Sequence, residues 1–188
     1  MGTVADEQLQ ALDRVAHALD AIGADYWLFG GWAVDFYAGA ITRSHEDLDL
    51  AVWLDDLPRI ATHLGNEGWT HQQSPDDDGG TAFVRQGVRL ELTFLVRDEE
   101  GEIYTPLREG RGRWSEEALE ADVRELDGVQ ARVVGLMPLS RSKASSRDDP
   151  IEAAKDEADA KTLARLIASE TPGQPSGDIP DRWPSRTD

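Results

Sequence analysis

Two aspartates, Asp47 and Asp49, stand two positions apart in the segment ITRSHEDLDLAV, which spans residues 41–52 and otherwise has the pattern of a buried strand. Side chains alternate between the two faces of a strand, so both carboxylates point the same way while Leu48 and Leu50 face the other side. Aspartate is depleted in strands, its charge is costly to bury, and two neighbouring carboxylates repel each other unless a cation lies between them. The spacing therefore predicts a cation site.

A glycine pair and a third carboxylate extend this set. Gly30 and Gly31 follow the short apolar stretch YWLF and precede the helical stretch WAVDFYA, and Glu91 lies mid-strand in VRLELTFL. Glycines let a backbone approach phosphate, and the N-terminus of a helix offers unpaired N–H groups and the positive end of its dipole. Mg²⁺ prefers one or two carboxylates together with substrate phosphates. The three features together are typical of a site for a nucleoside triphosphate.

Hydrophobic periodicity predicts the elements that carry these residues. In chain order we expect a helix over 6–22 ending near Gly23, a strand over 26–29, a glycine turn, a helix ending at Gly39, and the aspartate strand. Asp55 is expected to cap a helix over 57–68, with a strand over 69–73 and an exposed loop over 74–80 after it.

The second half of the chain has fewer local signals. Residues 81–98 predict two strands that meet near Gln86–Gly87, and Asp127–Gly128 is a hairpin signal between strand-like flanks. Residues 149–169 predict a long helix capped by Asp148 or Asp149. The tail from Thr171 contains four prolines and few apolar residues, so we expect it to be loosely ordered.

At these residues the chain resembles the polymerase-β-like nucleotidyltransferases, and specifically the aminoglycoside and lincosamide nucleotidyltransferases. The stretch YWLFGGWAVDFYAGAITRSHEDLDLAV is similar to the family signature, VRLELTFL resembles its third-carboxylate strand, and KDEADAKTLARL resembles its C-terminal helix. The resemblance extends over residues 9–168, and Glu91 stands where many relatives carry aspartate.

The resemblance implies an α+β fold, in which a small mixed β-sheet is backed by helices and followed by a C-terminal helical element. We therefore expect a nucleotidyltransferase catalytic domain over residues 1–135, a helical element over 136–170, and the loosely ordered tail over 171–188.

The resemblance also implies roles for individual residues. Asp47 and Asp49 would bridge two Mg²⁺ ions, with Mn²⁺ as an alternative, and Glu91 would bind the metal nearer the acceptor. Glu91 could also take the proton of the acceptor hydroxyl. The backbone at Gly30 and Gly31 would approach the triphosphate of ATP or of another nucleoside triphosphate.

Three cationic side chains are candidate phosphate contacts. These are Arg43, Lys143 and Lys155. Arg43 is equally expected to pair with Glu46 as an exposed ion pair, and the two lysines are equally expected to be ordinary helix-surface residues. We interpret the nearby His45 as a packing residue.

The activity that this reading predicts is transfer of a nucleoside monophosphate, AMP from ATP, to a hydroxyl of a small molecule such as an aminoglycoside or lincosamide antibiotic. Two alternatives stay open. One is a toxin-like nucleotidyltransferase that acts on tRNA or protein, for which a basic acceptor groove would be needed. The other is a nucleotide-binding module that has kept the fold without turnover.

The amino-acid composition limits the classes of binding partner and of metal site that we expect. The 188-residue chain has a formal net charge of −18, which disfavours nucleic acid and anionic lipid and suits a cationic, hydroxylated acceptor or simply solubility. It contains no cysteine, which excludes disulfides and thiolate metal sites. No signal peptide or membrane-spanning run is found in the sequence, so we expect a cytoplasmic protein. The oligomeric state is left open.

Overall fold

The computed structural model describes residues 2–73, 77–120, 122–144 and 149–170, with only the backbone described for residue 170. Within these ranges the helices are α1 (Val4–Ala21), α2 (Gly30–Ala38), α3 (Leu57–Asn66), α4 (Glu116–Leu119), α5 (Leu136–Lys143) and α6 (Pro150–Glu170). The strands are β1 (Tyr26–Leu28), β2 (Leu48–Trp53), β3 (Thr70–Gln72), β4 (Gly80–Arg85), β5 (Val88–Arg97), β6 (Ile103–Pro106), β7 (Arg111–Trp114), β8 (Asp122–Leu126) and β9 (Val129–Val133).

A mixed sheet forms the centre of the fold. Its strand order is β3-β4-β5-β2-β1-β9-β8, and a hairpin of β6 and β7 extends the far end of β5. The pairs β2–β5 and β1–β9 are parallel, whereas the other pairs are antiparallel. The predicted α+β architecture, a mixed sheet backed by helices, is confirmed, although the sheet has more strands than the sequence suggested.

Local sequence explains the elements nearest the carboxylates. Strand β1 is buried along its whole length, and helix α2 is buried on almost every side, as its apolar composition requires. Helix α2 begins at Gly30, whose φ is +69°, and ends before Gly39, whose φ is +66°. Glycine reaches positive φ without steric cost, so this pair of residues sets both ends of the helix.

One hydrophobic core joins the sheet to the C-terminal helices. Leu139 of α5 and Leu163 of α6 belong to the same buried cluster as Leu12 of α1 and Leu50 of β2. Burial of this kind is the main stabilising term in folding, so α5 and α6 are integral to the packing around the sheet. The division of the chain after residue 135 stays a prediction, and the tail over 171–188 lies outside the described residues.

Several details differ from the sequence-based expectation. A single 3₁₀ turn over Leu54–Asp56 precedes α3, and no side chain caps this helix, so the cap predicted at Asp55 was wrong. Leu54 and Asp55 both belong to the 3₁₀ turn. Asp55 therefore lies too far before α3 for its side chain to cap that helix. The hairpin β6–β7 and helix α4 were not anticipated.

Other expectations are met. Asp149 Oδ1 accepts hydrogen bonds from the backbone N–H groups of Ile151 and Glu152, at 2.8 and 3.1 Å, so Asp149 caps α6. The alternative cap, Asp148, lies outside the described residues, as do residues 74–76 of the predicted loop. Among the described helices, none combines the length and the apolar composition that crossing a bilayer would require.

Candidate functional site

The register of two parallel strands brings the predicted carboxylates together. Asp49 of β2 and Glu91 of β5 are direct partners across the strand pair, so their side chains lie on the same face of the sheet. Asp47 immediately precedes β2 and faces the same way. One carboxylate oxygen from each of the three residues lies within 4.8 Å of the other two, and all three side chains are half-buried.

This cluster carries excess negative charge. Burial raises the pKa of Asp47 above its ordinary value, and repulsion by Glu91 and Glu46 raises it further, against a weaker opposing attraction from Arg89 and Lys155. Arg89 Nε donates a hydrogen bond of 2.7 Å to Glu91 Oε1, but this contact is substantially exposed to solvent. A half-buried set of carboxylate oxygens is the donor set that Mg²⁺ prefers, so these residues fit a divalent cation.

The glycine pair is required by close contacts at the start of α2. A β-carbon at Gly30 would lie 2.1 Å from Asp49 Oδ2, and one at Gly31 would lie 2.2 Å from Arg43 Nη2 and 2.6 Å from His45 Nδ1. These separations are far shorter than van der Waals contact. The absence of side chains at 30 and 31 therefore lets a carboxylate, a guanidinium and an imidazole all approach the N-terminus of α2.

Two of the predicted phosphate-binding cations form ion pairs with carboxylates of helix α6. Arg43 donates from Nε and Nη2 to the two carboxylate oxygens of Asp159, at 3.1 and 3.0 Å. Lys143 Nζ lies 3.0 Å from Asp159 Oδ2 and donates to Asp156 Oδ1 at 2.9 Å. The pairing of Arg43 with Glu46 that the sequence allowed is absent from the described contacts, and Lys143 is buried, which rules out a helix-surface role.

The third cation, Lys155, is more accessible. Its Nζ donates to Glu46 Oε1 at 2.7 Å and to Glu152 Oε1 at 2.8 Å. These contacts raise the pKa of Lys155 above its ordinary value, chiefly through the hydrogen bonds to Glu152 and Glu46. The lysine therefore carries its positive charge at the edge of the site at neutral pH.

A buried group behind the glycine pair was not identified from the sequence. His45 Nε2 lies 2.6 Å from Asp35 Oδ2, and Asp35 Oδ1 accepts hydrogen bonds from the backbone N–H and the hydroxyl of Thr42. Asp35 is fully buried in α2. Because a carboxylate accepts, His45 donates from Nε2 and its Nδ1 edge faces Gly31. A charged residue within the otherwise apolar stretch WAVDFYA was the available signal.

A single cavity of about 440 Å³ collects every residue that the sequence singled out for chemistry. Its lining includes Gly30, Gly31, Arg43, Asp47, Asp49, Glu91, Lys143 and Lys155. His45, Glu46 and Ser142 also line it. Carboxylates, the start of α2 and the cations of α5 and α6 therefore line one space. The roles of the individual residues stay predictions.

Comparison with known proteins places this geometry in a family. Residues 11–160 match the family model described as aminoglycoside-2''-adenylyltransferase. A 2''-aminoglycoside nucleotidyltransferase from Escherichia coli is 37% identical over 43 residues, which is 23% of this chain and 24% of that protein. A relative of the same description from Klebsiella pneumoniae matches equally. The chain thus spans about a quarter of the length of the curated relatives it matches.

Solved structures show the same fold. The lincosamide antibiotic adenylyltransferase LnuA, solved with lincomycin bound, has a TM-score of 0.65 and 15% identity, with 84% of this chain and 96% of that chain covered. ANT(2")-Ia in complex with adenylyl-2"-tobramycin has a TM-score of 0.62 and 17% identity, with 87% and 96% covered. The polymerase-β-like nucleotidyltransferase fold expected from the sequence is confirmed.

Proposed function

The chain belongs to the aminoglycoside-2''-adenylyltransferase family, and from that premise we propose that it transfers AMP from ATP to a hydroxyl of a small antibiotic molecule, in a reaction that depends on Mg²⁺. The acceptor class is an aminoglycoside or a lincosamide. The observation that carries the proposal is the register of Asp49 with Glu91, which gathers three carboxylates beside the Gly30–Gly31 turn.

The three carboxylates support the proposed requirement for Mg²⁺. Asp47, Asp49 and Glu91 would hold the divalent ions, because their oxygens lie within 4.8 Å of one another and the pKa of Asp47 is raised, by burial first and then by its acidic neighbours. Divalent ions bound there would lower the pKa of the acceptor hydroxyl and stabilise the negative charge of the departing pyrophosphate. The same triad can accept Mn²⁺, since both ions favour oxygen ligands.

The triphosphate group of ATP would lie at the start of α2. The backbone N–H groups after Gly31 and the dipole of the helix favour an anion there. Arg43 and Lys143 would add positive charge, held in place by Asp159. Lys155 would approach from the open edge of the cavity, since its contacts to Glu46 and Glu152 are at the surface.

The acceptor would approach from the opposite side, beside Glu91. In phosphoryl transfer the attacking and leaving oxygens lie roughly in line, so the acceptor hydroxyl must face away from the pyrophosphate. Glu91 would accept the hydroxyl proton in this arrangement, if the hydroxyl comes within hydrogen-bonding distance. The net charge of −18 favours a cationic acceptor through long-range attraction.

The proposal is tested by offering ATP, Mg²⁺ and a panel of aminoglycosides and lincosamides to the full chain. Pyrophosphate release is measured together with the mass of each acceptor. The proposal predicts release only with an acceptor present and a product heavier by one AMP group. A protein that binds ATP but releases pyrophosphate with no member of the panel would instead fit a nucleotide-binding module without turnover.

A further inference from the structure

Glu91 makes a contact that the proposed metal and proton-acceptor roles do not use. Arg89 stands two positions before it on β5, so the two side chains lie on the same face of the sheet. Arg89 Nε donates to Glu91 Oε1 at 2.7 Å, and Arg89 Nη1 donates to Gln72 Oε1 at 3.1 Å. The guanidinium group thus connects the third carboxylate to strand β3.

These hydrogen bonds place the guanidinium on the side of Glu91 that is remote from Asp49. The strand order β3-β4-β5-β2 puts Asp49 on one side of β5 and Gln72 on the other. The start of α2 lies on the Asp49 side, because a β-carbon at Gly30 would be 2.1 Å from Asp49 Oδ2. Across the sheet, Glu91 therefore stands between the start of α2 and the guanidinium.

In-line transfer brings the acceptor to the guanidinium side. With pyrophosphate at the start of α2, the attacking hydroxyl must approach the phosphorus from the opposite direction. To lose its proton to Glu91, the hydroxyl must also come within hydrogen-bonding distance of that carboxylate. Glu91 Oε1 already accepts from Arg89, so a hydroxyl that reaches Glu91 comes close to the guanidinium.

The guanidinium is accessible to an arriving molecule. The side chains of Arg89 and Glu91 are 38% and 40% exposed. Glu91 belongs to the lining of the 440 Å³ cavity and Arg89 does not, so Arg89 stands at the boundary between this cavity and solvent. An acceptor that enters beside Glu91 would pass this positive charge.

The charge of Arg89 acts against cationic groups at short range. The net charge of −18 attracts a cationic molecule from a distance, whatever its detailed structure. At contact, an ammonium group beside Glu91 would meet a like charge, and it would have to displace Arg89 to reach Glu91 Oε1. A carbonyl or hydroxyl oxygen at the same place could instead accept a hydrogen bond from the guanidinium.

We infer that Arg89 is a specificity-determining residue for the acceptor, and that it disfavours molecules with an ammonium group next to the reacting hydroxyl. Acceptors with a neutral oxygen at that position are favoured. The inference rests on the proposed function, because it takes the acceptor to bind beside Glu91.

The test compares an amine-bearing acceptor with the same molecule after N-acetylation, which removes the positive charge and keeps every hydroxyl. Tobramycin and N-acetylated tobramycin form the pair, and N-demethyllincomycin with its N-acetyl derivative replaces them if the wild type modifies only lincosamides. Calorimetry with Mg²⁺ and a non-hydrolysable ATP analogue gives the Kd of each ligand. The quantity compared between proteins is the Kd of the amine divided by the Kd of its derivative, so that general effects on Glu91 or on the metal cancel.

This Kd ratio should fall by about 5-fold in Arg89→Gln. Such a change corresponds to about 1 kcal/mol, the upper end of the range for an exposed charge pair. Arg89→Lys keeps the positive charge and should keep most of the wild-type ratio.

Arg124→Gln is the matched control. It removes the same charge from β8, which is four places from β5 in the strand order and thus roughly 19 Å away. This separation exceeds the screening length of about 8 Å at physiological ionic strength, so the Kd ratio should equal that of the wild type. Circular dichroism establishes that each variant is folded.

Two results would overturn the inference and leave the proposed function standing: an unchanged ratio in Arg89→Gln, or an equal fall in Arg124→Gln. The second result would assign the effect to overall charge. A wild type that modifies no aminoglycoside and no lincosamide would remove the proposed function together with the inference.

A measurement on the wild type covers the case in which Arg89→Gln does not fold. Phenylglyoxal reacts with accessible guanidinium groups, and mass spectrometry of peptides reports the extent of reaction at each arginine. A saturating concentration of the N-acetylated ligand should slow the reaction of Arg89 and leave that of Arg124 unchanged. Equal reaction of Arg89 with and without this ligand would place the acceptor away from the guanidinium and contradict the inference.

Discussion

Asp49 and Glu91 face each other directly across the parallel strands β2 and β5, although they are 42 positions apart in the chain. Side chains alternate along a strand, so a slip of one residue between β2 and β5 would turn one carboxylate to the opposite face of the sheet. The buried leucines on the other face of both strands, Leu50 and Leu92, oppose such a slip. Core packing therefore fixes the geometry of the carboxylate cluster.

Divalent metal should stabilise the folded protein through Asp47. At a Mg²⁺ concentration 100 times the dissociation constant, linkage predicts an increase of about 2.7 kcal/mol in the free energy of unfolding. Asp47→Asn should lose most of this increase, because it removes one ligand. Without metal the variant should be at least as stable as the wild type, since burial and two acidic neighbours disfavour the Asp47 charge. Thermal melts with Mg²⁺ and with EDTA check both points, and an equal Mg²⁺ response in the two proteins would remove Asp47 from the metal site.

Gly31→Ala should weaken ATP binding more than it weakens the fold. Its β-carbon would displace the Arg43 guanidinium and the His45 ring from the start of α2. Gly65→Ala is the matched control, because Gly65 lies inside α3 and a β-carbon there meets nothing within 4 Å. That variant should be slightly more stable, as alanine is favoured over glycine in a helix by about 1 kcal/mol. Calorimetric titration with ATP that gives the same affinity for both variants would count against the phosphate role of the turn.

Glu91 is the carboxylate whose role is least constrained, since it could serve as a metal ligand, as a proton acceptor or as both. Glu91→Gln removes both a ligand and a proton acceptor, so its turnover should fall by more than the factor of about 10²–10⁴ credited to general-base catalysis alone. Glu91→Asp keeps the charge and should retain much of the activity if the residue is a ligand only. The comparison is made on kcat at saturating Mg²⁺. Comparable rates for Glu91→Gln and the wild type would exclude both roles.

Asp159 should stabilise the fold strongly at neutral pH and weakly in acid. Burial raises the pKa of this carboxyl, but hydrogen bonds from Arg43 and Lys143 outweigh that effect and hold the pKa below its ordinary value. A depressed carboxyl pKa contributes stability above the unfolded-state value of about 3.9, and this contribution is lost as the pH falls through the folded-state pKa.

Asp159→Asn should therefore cost about 3–5 kcal/mol near pH 7, the range for breaking a buried ion pair, and less as the pH falls below about 4. Urea unfolding at a series of pH values measures the difference. Glu157→Gln on the same helix is the control, because its exposed pairing with Lys161 is worth at most about 0.5 kcal/mol. A pH-independent cost for Asp159→Asn would show that charge pairing is not its contribution.

The face of the sheet that carries the three carboxylates could be predicted from the sequence because its signals are local. Strand alternation orients Asp47 and Asp49, and the same alternation orients Glu91 in the next parallel strand. The glycine pair is read from its place between a strand and a helix. Each of these patterns involves only a few neighbouring residues. The structure contains the strands and the glycine turn that they predict.

The parts that were missed depend on contacts between distant segments. Arg43 and Asp159 are bonded across 116 positions, and no local pattern pairs them. Strands β6 and β7 are four residues each and lack clear apolar alternation, so Trp114 could not be placed beside Phe29 in advance. The buried pair of Asp35 and His45 likewise required the turn that brings the two residues together.

The central claim is that the carboxylate cluster is the catalytic centre, and pyrophosphate release by Asp49→Asn tests it most directly. The assay contains ATP, Mg²⁺ and an acceptor that the wild type modifies, and circular dichroism and thermal melting establish that the variant is folded. We predict acceptor-dependent release by the wild type and none above background by Asp49→Asn, because the substitution removes a metal-binding charge at the centre of the cluster. Release by folded Asp49→Asn at the wild-type rate would contradict the account.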